Sequence, residues 1–424
     1  MTDSASGLVL APFRALRPTV AGAQLAARLC PPYDVIDPAQ RAALLAADEH
    51  NAVAVVLPEA DGDADQYAHA RSLLASWLAD GTYQVDETPA LYVYEMTTSA
   101  GERTRGLVGA LGLRNYDEQV ILPHENTMAG PVADRLALMR ATETNVEAIY
   151  LVYDGGGPAS TAVANIDASE PVAATTTADG VQHRLWSITD PDVLDGIARD
   201  LAGRRALIAD GHHRYATYLA LQSERAASDG PGPWDFGLTL LVDSSSYGPQ
   251  VHAIHRVVPG HVLADAVDRL AAAGAHVADL PGADAVDPTA ALDAVAANAG
   301  FAALLTDGQR MVEVTDPDAR LRTLAERPGE PAALADLDVT VLHRGIVEGV
   351  WQLADDVDHV GYAHTVDEAI TAARAGGGFA VLLRPTPVAA VAAVAAQGAR
   401  MPRKSTLFTP KPASGMFMRR FADA

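Results

Sequence analysis

The stretch Arg205 to Leu221, RALIADGHHRYATYLAL, limits the possible folds more than any other part of the chain. Ala206 to Ala209 is a short apolar run of strand type and Asp210-Gly211 is a turn signal. From His212 onward, Tyr215, Leu219 and Ala220 recur at helical spacing. A strand, a tight turn and a helix N-terminus are therefore expected in succession. The first helical turn has backbone N–H groups without intrahelical partners and carries the positive end of the macrodipole, so it favours an anion such as phosphate. Gly211 lets the backbone approach that anion, and Arg214 adds a fork of donors suited to phosphate oxygens. His212 and His213 can move protons near neutral pH. Neighbouring helix positions point about 100° apart, so the two histidines cannot face one metal ion together.

With 424 residues the chain is long enough for two to three domains with substantial cores. A formal charge of -23 argues against general affinity for DNA or anionic membranes, which need clustered positive charge. Cys30 is the only cysteine, which excludes an intrachain disulfide and a cysteine-based zinc site. The N-terminus carries Asp3 and no basic leader pattern. The longest apolar run, Val388 to Ala396, is too short to span a bilayer, so a soluble cytoplasmic protein is expected. Of 31 basic residues only Lys404 and Lys411 are lysine, and both fall in MPRKSTLFTPKP. A chain that otherwise uses arginine keeps lysine where a compact, flexible ammonium serves, and the two are not interchangeable at phosphate sites.

Before the central stretch, Pro31-Pro32 presents Tyr33 and Asp34 at a loop end, where they read equally as a packing aromatic and a turn residue. A helix follows from Asp37-Pro38 through Leu45, then a strand-like run Ala52 to Leu57, then a helix from about Asp65 to Ala79. Leu91 to Thr98 and Arg103 to Leu113 read as a hairpin. His124, Glu125, Asn126 and Thr127 form a polar loop, either solvated or functional, ahead of a helix from about Pro131 to Thr142 and a strand Ala148 to Tyr153. Gly155 to Gly180 reads as a connection with at most a short helix or strand, His183 to Ser187 as a strand, and Asp190 to Gly203 as a helix. Downstream, Phe236 to Asp243 and Val251 to Val258 read as strands. In the latter, alternation puts His252 and Arg256 on one face and His255 opposite. Helices are expected at Val262 to Ala273 and Pro288 to Ala297. A two-residue hairpin at Asp307-Gly308 joins strands Phe301 to Leu305 and Arg310 to Val314. His343 and Arg344 start or cap a helix, Val366 to Ala375 is helical, Phe379 to Leu383 is a strand, and Pro387 to Gln397 is an alanine-rich helix.

The blocks CPPYDVI, LPHENT with DRLALMRATETN, IADGHHRYATYL, the HR of VHAIHRVV, LDVTVLHRGI and MPRKSTLFTPKPASG resemble, in this order, those of the domain of unknown function 1015 family. The resemblance runs from about residue 8 to 418. The DGHHR turn is also similar to the phosphate-binding turn of the ParB/sulfiredoxin-like superfamily, which includes free-serine kinases. Carried over, Asp210, Gly211, His212, His213 and Arg214 match that turn. The chain lacks the sulfiredoxin cysteine and the ParB arginine motif and DNA-reading helices, which points to the small-molecule kinase type. The implied fold class is α+β. Residues 1–230 would form a ParB/sulfiredoxin-like mixed α/β domain with insertions that binds nucleotide or phosphate. Residues 231–424 would form a second α/β domain whose C-terminal MPRKST loop returns to the site.

Phosphoryl transfer needs charge stabilisation and in-line placement of the acceptor. The backbone of Gly211 and His212 would hold phosphate oxygens, with Arg214 and Lys404 as cationic clamps and Ser405 and Thr406 as hydroxyl donors. Asp34 or Glu125 would be the base for an acceptor hydroxyl. His124 and His213 would neutralise developing charge, and Asp210 would hold Mg²⁺ through water. Tyr33, Asn126, Thr127, Arg135, Arg256 and Lys411 are further site candidates from the same blocks. The expectation is a phosphotransferase, such as a free-serine kinase acting on serine or a similar hydroxy acid with ATP, ADP or pyrophosphate as donor. A phosphatase acting on phosphoserine-like metabolites and a non-catalytic nucleotide sensor are the alternatives. No DNA or membrane partner is expected, and the oligomeric state is not readable.

Overall fold

A computed structural model describes residues 7–62, 65–281, 287–295 and 300–424. The chain is a mixed α/β protein in two compact units, one of residues 1–249 with 410–424, the other of residues 250–409. These divisions differ from a boundary after residue 230. Strand Phe236–Asp243 is central to the first unit's sheet, pairing antiparallel with Arg103–Gly112 and parallel with Ile149–Tyr153. The last residues, 410–424, also return to that unit.

The first unit is built on a nine-stranded mixed sheet. From one edge its strands run Ile121–Leu122, Ala206–Asp210, Ile149–Tyr153, Phe236–Asp243, Arg103–Gly112, Leu91–Thr97, Gln182–Ile188 and Ala173–Thr176, while Leu10–Ala11 pairs with the end of Arg103–Gly112. Two of its central strands, Ile149–Tyr153 and Phe236–Asp243, are buried along almost their whole length and accordingly carry nearly continuous apolar runs. The main core joins Val93, Leu107, Ile149, Leu151, Ile208 and Leu241 to Tyr215, Tyr218 and Leu221 of helix His212–Ser228. Between Ile208 and Asp210 the pairing with Ile149–Tyr153 shifts register. Such an irregularity re-aims the strand end, here immediately before Gly211.

A second core surrounds Val53–Val56, and there the strand-like run proves to be a short helix. Its β-branched residues favour strands, yet all four are buried. Asn51 overrides the local preference: its side-chain oxygen accepts the Val53 N–H at 2.9 Å while its amide donates to the Ala27 and Leu29 carbonyls at 2.7 and 2.8 Å.

The second unit contains an antiparallel six-stranded sheet in the order His276–Leu280, Met311–Thr315, Ala302–Thr306, Phe379–Leu383, His255–Val258 and Gly361–Ala363. The first of these strands carries only weak apolar alternation and is not apparent in the sequence. The single strand expected over Val251 to Val258 is two. Gln250–His252 pairs with Leu407–Thr409, whereas His255–Val258 enters the large sheet. The break at Ala253 and Ile254 removes the shared face assigned to His252 and Arg256. The hairpin after Thr306 has a four-residue loop, because Thr306 pairs with Met311 and the Asp307 carboxylate accepts the N–H groups of Gln309 and Arg310. His343 and Arg344 lie inside the helical stretch 338–350 rather than at its start. Helix Pro288–Val295 accounts for most of the expected one, and positions 296 and 297 fall outside the described residues.

Candidate functional site

Strand Ala206–Asp210 turns through Gly211 into helix His212–Ser228. Gly211 has φ +93°, a left-handed conformation that disfavours any side chain, and a Cβ there would meet the Arg214 guanidinium and Ile149 at 3.1 to 3.2 Å. As N-cap it supplies no side-chain acceptor to the first-turn N–H groups. Arg214, Tyr215, Tyr218 and Leu221 face the core, while His213 is half-buried on the other side.

Three cations and three carboxylates gather beneath and beside this helix start. Lys411, from the C-terminal segment, places Nζ 2.7 Å from Asp210 Oδ1 and 3.2 Å from Asp34 Oδ2. Arg214 bonds the other Asp210 oxygen and the Ala148 carbonyl, so its guanidinium holds Asp210 from below rather than reaching outward as a clamp. Arg135 lies over the Tyr33 ring at 4.3 Å and binds the Val56 carbonyl and Asp134. Glu147, with 2% of its side chain exposed, accepts the Tyr33 N–H at 3.0 Å and stands 3.9 Å from Arg135.

The charges reinforce one another. Burial works against the Lys411 ammonium, but Asp210 and Asp34 outweigh it and hold the pKa above its ordinary value. Burial likewise opposes the Asp34 carboxylate, and Lys411 with Arg214 overcomes it, keeping that pKa low. Arg214 is held charged against burial by Glu147, Asp210 and Asp34. The pattern is a paired, partly desolvated network.

The loop His124 to Met128 is fastened to the helix start by both histidines. His212 Nε2 accepts the His124 N–H at 3.3 Å, and His213 Nε2 accepts the Met128 N–H at 3.0 Å. Each ring therefore keeps its proton on Nδ1 in this arrangement. Burial lowers the His213 pKa, consistent with a neutral acceptor. Glu125 Oε2 stands 3.8 Å from His212 Nδ1, and Asn126 and Thr127 are exposed at the loop tip.

Tyr33, Asp34, His124, Glu125, Arg135, Asp210, Gly211, His212, His213, Arg214 and Lys411 thus belong to one unit and converge on one element. Lys404, Ser405, Thr406 and Arg256 belong to the second unit. There the buried Arg256 donates to His343 Nε2 at 2.8 Å and to the Lys404 carbonyl at 2.9 Å, and the Ser405 hydroxyl bonds the Pro402 carbonyl. His343 Nδ1 is 2.7 Å from Asp355. Lys404 itself is exposed, in a left-handed conformation with φ +54°.

For Asp210 to hold Mg²⁺ through water, the bridging water would have to displace a cation, since Lys411 and Arg214 already face its two oxygens. Among the described residues no group of three or more His, Cys, Asp or Glu side chains could hold a metal ion. Also among the described residues, no helix is long and apolar enough to cross a membrane.

Sequence reasoning missed Glu147 and also Ser414, whose hydroxyl donates to Glu147 Oε1 at 3.0 Å. A carboxylate amid the apolar run that opens strand Ile149–Tyr153 was the available signal for the first. Nothing local marks the second.

The family model described as "Protein of unknown function (DUF1015)" matches residues 10–340. No curated protein matches the chain. Among solved structures, a free serine kinase in complex with AMP is 13% identical, covers 74% of this chain and 90% of its own, and has a TM-score of 0.35. A conserved hypothetical protein from Pyrococcus furiosus is 14% identical, with coverages of 75% and 97% and a TM-score of 0.34. SbnI with C-terminal truncation from Staphylococcus aureus is 10% identical, with coverages of 72% and 85% and a TM-score of 0.34.

Proposed function

This chain belongs to the DUF1015 family, and from the chemistry gathered at its helix start we propose that it is a cytoplasmic small-molecule phosphotransferase. Its first unit would serve as a ParB/sulfiredoxin-like phosphate-binding domain. The acceptor is serine or a similar hydroxy acid, and the donor is ATP, ADP or pyrophosphate. One observation carries the reading. An ammonium group, Lys411, stands between two carboxylates beside a helix N-terminus that has no side-chain cap.

A phosphate drawn to the first-turn N–H groups of His212 and His213 competes with Asp34 and Asp210 for Lys411. Asp210 keeps Arg214 as partner, whereas Asp34 loses its nearest cation. Losing that cation raises the proton affinity of the Asp34 carboxylate, which makes it a better base once the donor is bound. The acceptor hydroxyl then forms its bond to phosphorus as the donor P–O bond breaks. The hydroxyl proton passes to Asp34 or to Glu125, and Lys411 and the helix N-terminus stabilise charge on the moving group. Mg²⁺ that accompanies a nucleotide is part of the donor substrate, and no step is assigned to it.

The test is to incubate the purified protein with ATP, ADP or pyrophosphate, Mg²⁺ and a panel of amino acids, and to assay phosphoserine and related products. Phosphorylated product supports the reading. Nucleotide binding without product replaces it with a sensor, and phosphate release from phosphoserine alone replaces it with a phosphatase.

A further inference from the structure

Asp34 and Lys411 lie far apart in sequence, and one buried carboxylate ties their two segments together. Glu147 Oε1 accepts the Tyr33 N–H at 3.0 Å and the Ser414 hydroxyl at 3.0 Å. Tyr33 precedes Asp34, and Ser414 follows Lys411 by three residues. The same two segments are joined by reciprocal backbone bonds between Cys30 and Ser414, at 3.1 and 2.8 Å.

The other carboxylate oxygen of Glu147 stands 3.9 Å from Arg135. Among the described residues, neither Glu147 Oε2 nor Arg214 Nε has a hydrogen-bond partner, and both residues are buried. Both line a cavity of about 20 Å³ together with Arg135, Asn145 and Tyr218.

We propose that Glu147 is the positioning residue of the helix-start site, holding Asp34 through Tyr33 and Lys411 through Ser414, beside the Arg214 that pairs with Asp210. Glu147 does not touch the ligand. It fixes where the groups that do so stand before the ligand arrives, which removes the ordering cost from binding. The purpose of this arrangement rests on the phosphotransferase reading, whereas the arrangement itself can be tested without it.

The chain has only two lysines, so amine labelling read by mass spectrometry reports each one separately. Lys404, exposed in the second unit, is an internal reference for Lys411. In the wild type Lys411 should label at least about tenfold more slowly than the exposed Lys404, because its largely buried ammonium is paired with both Asp210 and Asp34, which keep it protonated and out of reach of the reagent. Glu147→Ala should speed Lys411 labelling at least about fivefold with Lys404 unchanged, as expected when the segment detaches locally. Glu147→Gln keeps a carbonyl oxygen for both donors, so it should stay within about twofold of wild type. Ser414→Ala cuts one tie and should move Lys411 in the same direction by less. Wild-type labelling of Lys411 in a folded Glu147→Ala protein overturns the proposal. Should that variant fail to fold, an unchanged rate in Ser414→Ala does so instead. If Lys411 is released in these variants while the wild type binds no pyrophosphate, the positioning role stands and the phosphotransferase reading falls.

Discussion

At the residue scale, Lys411 and Asp34 carry the proposed chemistry. Lys411→Ala should lower turnover at least roughly tenfold, about 1.4 kcal/mol of transition-state stabilisation. A steady-state assay of the phosphorylated product checks it, and wild-type turnover would remove Lys411 from the site. His213→Ala should lower turnover similarly, because it frees the loop that His213 Nε2 holds through the Met128 N–H. The sequence makes both lysines conspicuous and suggests Lys404 as the clamp, whereas it is Lys411 that stands beside the DGHHR turn. That depended on the chain crossing from the second unit back to the first after Thr409, which no local pattern records. Arg214 was legible as part of the turn. Its inward orientation was not, because whether a guanidinium faces solvent or a carbonyl such as that of Ala148 is decided by tertiary packing.

At the element scale, the strand, turn and helix from Ala206 to Ser228 were readable because an apolar run, a glycine and a helical repeat all agree locally. Gly211→Ala forces a side chain into φ +93° against Arg214 and Ile149. It should cost about 1–2 kcal/mol of stability and weaken anion binding. Thermal unfolding and calorimetric titration measure the two effects, and an unchanged midpoint would mean that the turn tolerates a Cβ. Val53–Val56 and the break before His255 show where such reading ends. In both places a burial or pairing partner distant in sequence outweighs the local pattern. For Val53–Val56 the Ala27 and Leu29 carbonyls bound by Asn51 decide the outcome.

At the scale of the whole molecule, each unit carries a buried histidine whose pKa is pushed down from 6.5 to about 4. Burial lowers His183 in the first unit, and burial with Arg256 lowers His255 in the second. A group with a depressed folded-state pKa stabilises fully above its unfolded value, and that contribution is lost as pH falls through the folded one. Stability should therefore be flat above about pH 6.5 on this account and fall from there to about pH 4, by at most roughly 3 kcal/mol per histidine. His183→Gln should flatten the first unit's share of that slope. Scanning calorimetry between pH 7 and pH 4 tests it, and a midpoint that rises on acidification would contradict it. The mixed α/β class was legible from the order of strand and helix patterns, while length alone allowed two to three domains. The boundary was not, since pairing of Phe236–Asp243 with two earlier strands draws it past residue 230.

The central claim is that the helix start beside Lys411 receives a phosphate group. Calorimetric titration of inorganic pyrophosphate into the wild type and into Lys411→Ala tests it most directly. The account predicts one saturable site in the wild type and at least about tenfold weaker binding in the variant, equivalent to roughly 1.4 kcal/mol. Equal affinity in the two proteins, or no binding to the wild type, would contradict it.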